Sequence, residues 1–333
     1  MARVSEIARF VATAWRDGIG PDDRGQMVEL LRRPDVAADP AVSELRLLAA
    51  WLDLQDHVRA ELPVEPAAPA ARVLHFACML DWARLDRAPA SIDAAIAALG
   101  SALETLEPDD PRAAAARAWS DLAIGDLALM LEDVPTARAR YEAATATGRP
   151  VALRITAMLK LASAALTRVN VDPARTWARK AMTLAEVSKR FEHGTRARLL
   201  LGMLEYAAGN TAAMRRVLLP HEKVSPLARI LLASVEPANL AMPLLADGVR
   251  IAAEQGDTLG YLLCILIGAR RYAAIGREAD ALITIGAGIA RLAPVAPTLA
   301  GVLREERATW HRDWGTARFE AAERAALEIL DRA

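Results

Sequence analysis

The chain has 333 residues, more than one compact hydrophobic core usually holds, so it forms either several domains or an open array of repeats. Lys and Arg together number 41 against 42 Asp and Glu, a balance that argues against general nucleic-acid binding, which requires a basic surface. Hydrophobic residues make up 53% of the chain and aromatic residues 5%, and the Ala-, Leu- and Arg-rich stretches without period-2 alternation favour an all-α protein.

Three helices are predicted at the N-terminus, over residues 4–16, 24–33 and 40–59. A break at residues 17–23 separates the first two, because two Gly and a Pro interrupt the helical pattern there. We expect residues 1–62 to form an N-terminal helical bundle or cap. The Pro-Ala connection that follows, residues 63–70, is either a linker or a stiff turn within one array.

Beyond this connection, predicted helices come in pairs over residues 71–333, and the last helix caps the array. Each pair is bounded by Gly, Pro or capping residues. The predicted pairs are 71–85 with 91–104, 111–131 with 135–147, 151–167 with 173–190, 194–208 with 211–219, 226–234 with 237–255, 257–275 with 278–292, and 297–313 with 316–332.

A weak cadence of small residues returns roughly every 34–42 residues, in the range of helical-hairpin repeats. A small residue lies in one helix, a break follows, and another small residue opens the next helix. The clearest instance consists of Ile124-Gly125, Ala137, Tyr141, Ala144 and Pro150. Partial instances are Leu161-Ala162 with Ala174, Ala178 and Ala181, Leu201-Gly202 with Gly209-Asn210, and Ala269 with Tyr272, Gly276 and Ala281.

In these residues the chain resembles the tetratricopeptide-repeat (TPR) family, over roughly residues 71–315. The resemblance implies a right-handed α-solenoid of antiparallel helical hairpins. It departs at Met214, where the second helix of a repeat normally opens with Ala, and the spacing of repeats is irregular. Arrays of this kind resemble those of bacterial regulators and signalling ATPases, yet neither a nucleotide-binding nor a DNA-binding module is found in this sequence.

The resemblance also implies a concave groove lined by the first helix of each hairpin. Carried over to this chain, the candidate groove residues are Trp119, Leu122, Asp126, Leu129, Leu159, Arg196, Leu199, Met203, Tyr206 and Arg270. The apolar middle of this row suits an apolar helix or peptide, since aromatic and Met side chains dominate interface cores. The alternative is that these residues pack against the chain's own N-terminal helices or inside the solenoid.

No catalytic, cofactor-binding or metal-binding constellation is predicted. Gly286-Ala287-Gly288 lies in a predicted helix with no strand before it, so it lacks the context of a dinucleotide-binding loop. Cys78 and Cys264 are isolated thiols in apolar helical segments, which predicts buried, inert cysteines rather than a disulfide or a zinc site.

We therefore expect a non-enzymatic adaptor or scaffold, with a regulatory role, that holds a protein or peptide in its groove. One alternative is a sensor domain that holds a peptide or small ligand for a signalling or transcription system. Another, from a different class, is a helical enzyme whose site is assembled across helices. No signal-peptide pattern or membrane-spanning run is found, so a cytoplasmic location is expected. The terminal helices also allow self-association.

Overall fold

The computed structural model describes residues 5–56, 58, 61–166, 171–223 and 225–332. These residues form seventeen α-helices and no strand, which confirms the predicted all-α class. The helices are α1 Glu6–Asp17, α2 Arg24–Leu31, α3 Val42–Gln55, α4 Pro69–Asp86, α5 Pro89–Glu104, α6 Ala113–Met130, α7 Val134–Ala144, α8 Val151–Leu166, α9 Val171–Val187, α10 Phe191–Ala207, α11 Thr211–Leu218, α12 Pro226–Val235, α13 Ala238–Gln255, α14 Thr258–Ala274, α15 Glu278–Leu292, α16 Pro297–Trp314 and α17 Thr316–Leu330.

Six of the seven predicted hairpins are confirmed. Neighbouring helices pack as α4 on α5, α6 on α7, α8 on α9, α12 on α13, α14 on α15 and α16 on α17. Polar N-cap residues precede several of these helices. The Asp133 carboxylate accepts a hydrogen bond from the backbone N–H of Thr136, and the Asp257 carboxylate accepts one from that of Gly260. The start of one predicted helix is wrong by two residues. The helix predicted over residues 91–104 starts at Pro89, a residue suited to the first helical turn.

The small residues of the cadence lie where the two helices of a hairpin pack most closely. A Cβ on Gly125 would lie 2.5 Å from Cε1 of Tyr141, and one on Gly202 would lie 2.5 Å from Cδ2 of Leu218. Ala137 and Ala174, at the start of second helices, are fully buried. Each small residue thus makes room for a larger side chain of the partner helix, which is the arrangement that the TPR resemblance implies.

The chain divides into two compact units, Met1–Leu200 and Leu201–Ala333, and the boundary lies within α10. In the first unit one hydrophobic core runs from Ile7 in α1 to Ala164 in α8, and a smaller one joins α8, α9 and α10. The core of the second unit is built largely by α14 to α17. Because one core includes residues on both sides of residues 63–70, the N-terminal helices are part of the first unit. A separate cap over residues 1–62 remains a proposal.

The last helix, α17, packs on α15 and α16 of the second unit and buries Phe319, Ala322 and Ala326 on its inner face. Its predicted role as a cap of the array stays a proposal. Its outer face leaves Leu327 and Leu330 exposed. Self-association through these exposed residues stays a proposal.

Both cysteines are buried and free, as predicted. Burial raises the pKa of the Cys78 thiol well above its usual value, and burial raises that of Cys264 to about 12. Both groups therefore remain thiols at neutral pH and are poor nucleophiles.

Candidate functional site

The structure places three of the predicted groove residues, Trp119, Leu122 and Asp126, in the interior of the first unit. Trp119 and Leu122 are fully buried in the core of the first unit, so neither offers a surface to a partner. The indole of Trp119 packs edge-to-face on Trp15 of α1, with ring centroids 4.8 Å apart. The alternative that the sequence left open, packing against the chain's own N-terminal helices, is therefore the correct one at this position.

Trp15 anchors the N-terminal helices through polar as well as apolar contacts. Its indole N–H donates to Oε2 of Glu44 over 2.7 Å, and the Arg112 guanidinium lies over its ring, 5.1 Å from the centroid. Glu44 also forms a 2.9 Å ion pair with Arg112, the residue immediately before α6. Glu44, on α3, thus links α3 to Trp15 of α1 and to Arg112 at the start of α6.

The turn after α1 lies so close to α8 and α10, the first helices of two later hairpins, that only glycine fits at two of its positions. A Cβ on Gly18 would lie 3.0–3.2 Å from side-chain atoms of Pro150, Ala152 and Leu153, at the start of α8. A Cβ on Gly20 would overlap the imidazole ring of His193 in α10. The sequence predicts a break here, and the structure shows that its glycines also allow close contact between backbone and helix.

Asp22 and Asp23 hold the turn to the N-terminal end of α10. The Asp22 carboxylate accepts the backbone N–H of Glu192 over 2.7 Å and lies 2.8 Å from Nδ1 of His193. Asp23 pairs with Arg190 over 2.6 Å. Burial alone raises the pKa of Asp22, but the hydrogen bonds from the His193 ring and the Glu192 backbone outweigh it, so the pKa lies below its usual value.

Residues 15–23 consequently run across the first helices of three successive hairpins, α6, α8 and α10. They contact Trp119 in α6, the start of α8 at Pro150 to Leu153, and His193 in α10. Aromatic packing, close backbone approach and a carboxylate at a helix N-terminus all contribute. The first-helix surface of this unit therefore binds a polypeptide segment, and that segment belongs to the chain itself.

Asp126, another predicted groove residue, lies in a buried polar cluster. Its Oδ2 and Oδ1 lie 2.7 and 2.9 Å from Nζ of Lys160, and Oδ1 also accepts the Tyr141 hydroxyl over 2.6 Å. Burial, followed by the charge of Asp126, raises the pKa of Tyr141. Because every charged group of the cluster is bonded to another, these residues join α6, α7 and α8 rather than bind an external ligand.

Asp81 of α4 belongs to the same cluster and is fully buried. It accepts hydrogen bonds from Nε of Arg84 over 3.2 Å and from the Gln55 amide over 3.0 Å. Burial, with a further contribution from the charge of Asp126, raises its pKa to about 7. Burial disfavours the charged carboxylate, and Arg84 compensates only in part.

We expect the contribution of Asp81 to stability to fall as the pH rises from about 4 to about 7. In that window the folded state keeps a proton that the unfolded state, with an ordinary aspartate pKa, has lost. The slope is on the order of 1 kcal/mol per pH unit, and Asp81→Asn removes it. Urea unfolding at several pH values measures the effect, with Asp109→Asn in an exposed turn as the control. Identical pH profiles for Asp81→Asn and the unmodified chain would contradict it.

The remaining predicted groove residues range from half-buried to exposed. Leu129, Leu159 and Leu199 are half-buried. Arg196 pairs with Asp56 over 3.1 Å, and Arg270 forms a two-pronged pair with Glu306 over 2.7 and 2.8 Å, so both arginines are satisfied internally. Among the apolar residues of the predicted row, Met203 and Tyr206, one turn apart on α10, are the exposed ones, at 41% and 45%. We call these two residues the α10 face.

Sequence reasoning missed the role of Trp15, Asp22 and Asp23, which occupy the first-helix surface. It also missed Lys160, which pairs with Asp126. The pattern of residues 17–23 shows a turn, but no local feature of the sequence shows which helix the turn contacts. Within the described part of the chain, no group of three or more His, Cys, Asp or Glu is arranged to hold a metal ion. No helix there is long and apolar enough to cross a bilayer.

No protein-family profile matches the sequence, and no curated protein matches it. The chain is similar to NprR in complex with its cognate peptide NprX, at 12% identity and a TM-score of 0.49, with 91% of this chain and 88% of that chain covered. It is also similar to the Rap conjugation gene regulator of the plasmid pLS20 in complex with the Phr* peptide, at 13% identity and a TM-score of 0.45, with 97% and 94% covered.

Proposed function

We propose that this protein is a non-catalytic adaptor of the cytoplasm, with a regulatory role, that binds a peptide or helix of a partner protein on its first-helix surface. One observation carries the proposal: residues 15–23 already lie across α6, α8 and α10, held by the Trp15–Trp119 contact and by the Asp22 bonds to α10. A surface that packs one polypeptide segment with apolar, backbone and ionic contacts has the chemistry to recognise another.

The α10 face is the apolar part of the predicted row that remains accessible. Met203 and Tyr206 lie one turn apart on α10, in the part of that helix that belongs to the second unit. Met adapts to irregular partner surfaces, and Tyr contributes a rigid apolar ring with a polar tip. Both residue types favour a partner side chain over a small polar metabolite. We therefore place the partner contact at these two residues.

Variants of the α10 face provide the test. Wild-type protein selects binders from a displayed library of random peptides, and the selected peptides are then titrated against Met203→Asp/Tyr206→Asp. Because both side chains are exposed, the double variant should fold normally yet bind at least about tenfold more weakly, as expected for two contact residues. Val64→Asp, another exposed apolar residue changed to Asp, should bind like wild type. Equal affinity for the double variant would exclude the α10 face.

A sensor of a small molecule is the second candidate. It predicts that a metabolite raises the melting temperature without any peptide. An enzyme is disfavoured by the buried polar cluster, because Asp81 pairs with Arg84 and Asp126 pairs with Lys160, which leaves these charges engaged within the protein. A peptide library that yields no binder, together with a metabolite that stabilises the protein, would replace the adaptor proposal by the sensor.

A further inference from the structure

A second candidate site lies in the second unit, in a crevice between α15, α16 and α17. The cavity has a volume of about 480 Å³. Its walls carry three arginines, one histidine and two larger apolar side chains, namely Arg304, Arg307, Arg312, His311, Ile289 and Phe319. No acidic residue lines it. This combination of positive charge and apolar surface is typical of a site for an anionic organic ligand.

Two of the three arginines have no acidic partner. Arg307 pairs with Glu323 and lies over the Phe319 ring, 5.8 Å from its centroid. Arg312 bonds only to the hydroxyl of Thr309, over 3.2 Å, and Arg304 forms no hydrogen bond or ion pair with the residues that the structure describes. Since a guanidinium is always charged in water, two positive charges remain uncompensated beside the cavity.

The spacing of these charges defines the ligand. Arg304 and Arg312 are eight residues apart on α16, which is about 12 Å along the helix axis. The surface between them is formed by Ala308 and by the apolar side chains of Ile289 and Phe319. His311 packs edge-to-face on Phe319, with centroids 4.8 Å apart, and supports that ring. A matching ligand carries two anionic groups about 12 Å apart with an apolar group between them.

An extended peptide places side chains four residues apart at roughly this distance, since each residue advances it by about 3.3 Å. We propose that this cavity, called here the α16 site, binds an acidic peptide segment of a partner, with two Asp or Glu side chains four positions apart and an apolar side chain between them. A nucleic acid fits less well, because its continuous phosphates would meet the exposed carboxylates of Glu305 and Asp313 on the same helix.

The probe is a fluorescein-labelled peptide with the sequence Ala-Glu-Ala-Leu-Ala-Glu-Ala, titrated by fluorescence anisotropy at low salt. We expect Arg304→Gln/Arg312→Gln to weaken binding about tenfold, roughly what two exposed charge pairs contribute. Arg324→Gln, an exposed arginine of α17 outside the cavity, should bind the peptide like wild type. Higher salt should weaken binding to wild type, since exposed charges are screened.

Two results would overturn the proposal of the α16 site. One is that wild type binds a peptide with Gln in place of both Glu as tightly as the acidic peptide. The other is that Arg304→Gln/Arg312→Gln, with unchanged thermal melting, binds the acidic peptide as tightly as wild type. Tighter Arg304-dependent binding of a single-stranded oligonucleotide would do the same. The variant of the α10 face should bind the acidic peptide normally, so the two surfaces are tested independently. Loss of the acidic peptide in that variant would assign the peptide to the α10 face and remove the α16 site.

Discussion

Replacing Trp15 with alanine is expected to lower the free energy of unfolding by about 3–5 kcal/mol, the range for a large aromatic side chain removed from a packed core. The substitution removes the edge-to-face contact with Trp119 and leaves a cavity beside a fully buried indole. It also strips Glu44 of one hydrogen-bond donor, although the pair between Glu44 and Arg112 remains. Urea unfolding followed by far-UV circular dichroism measures the change.

Trp82→Ala is the matched control, because the Trp82 side chain on α4 is 40% exposed. Its loss should cost about 1 kcal/mol or less. Similar costs for the two variants would mean that the N-terminal helices do not form one core with the hairpins. A large cost for Trp15→Ala alone supports the inclusion of α1 in the first unit.

Replacing Lys160 with methionine is expected to cost about 3–5 kcal/mol, because removal of one partner leaves a buried carboxylate without its counter-charge. Asp126 would keep only the Tyr141 hydroxyl as a hydrogen-bond donor. The second substitution, Asp126→Asn, should restore most of the stability, since a neutral amide oxygen still accepts that hydroxyl. Thermal and urea unfolding of the two single variants and the double variant give the coupling energy.

Lys223→Met provides the control for loss of an exposed lysine, and it should change stability by less than about 0.5 kcal/mol. The idea of a structural cluster fails if the double variant is no more stable than Lys160→Met alone. It also fails if Lys160→Met matches the Lys223→Met control.

The helical hairpins could be predicted because their signals are local. Pro, Gly and capping residues mark where helices end, and the small residues mark where two helices touch. The prediction that Gly125 and Tyr141 belong to one hairpin is confirmed by the close approach of Gly125 to the Tyr141 ring. Each of these signals acts over a few residues or between adjacent helices, so a single sequence carries it.

The groove prediction was less successful, and Trp119 shows why. A helix in a repeat array presents an apolar stripe whether the stripe meets solvent, a partner or another part of the same chain. The side chain that packs on Trp119 is Trp15, which lies more than one hundred residues earlier in the sequence. No periodicity of the sequence connects the two residues. Asp126 was assigned to the groove for the same reason, because the sequence pattern does not show that Lys160 pairs with it.

The sequence by itself determined the helical class, the pairing of helices and the burial of both cysteines. These properties follow from propensity, capping and the size of side chains at adjacent positions. Only the tertiary structure decided which part of the first-helix surface is occupied and which remains accessible. Residues 15–23 cover first helices of the first unit, whereas Met203 and Tyr206, in the second unit, stay exposed. The physical reason is that occupancy depends on contacts between distant segments, whose free energy no local pattern encodes.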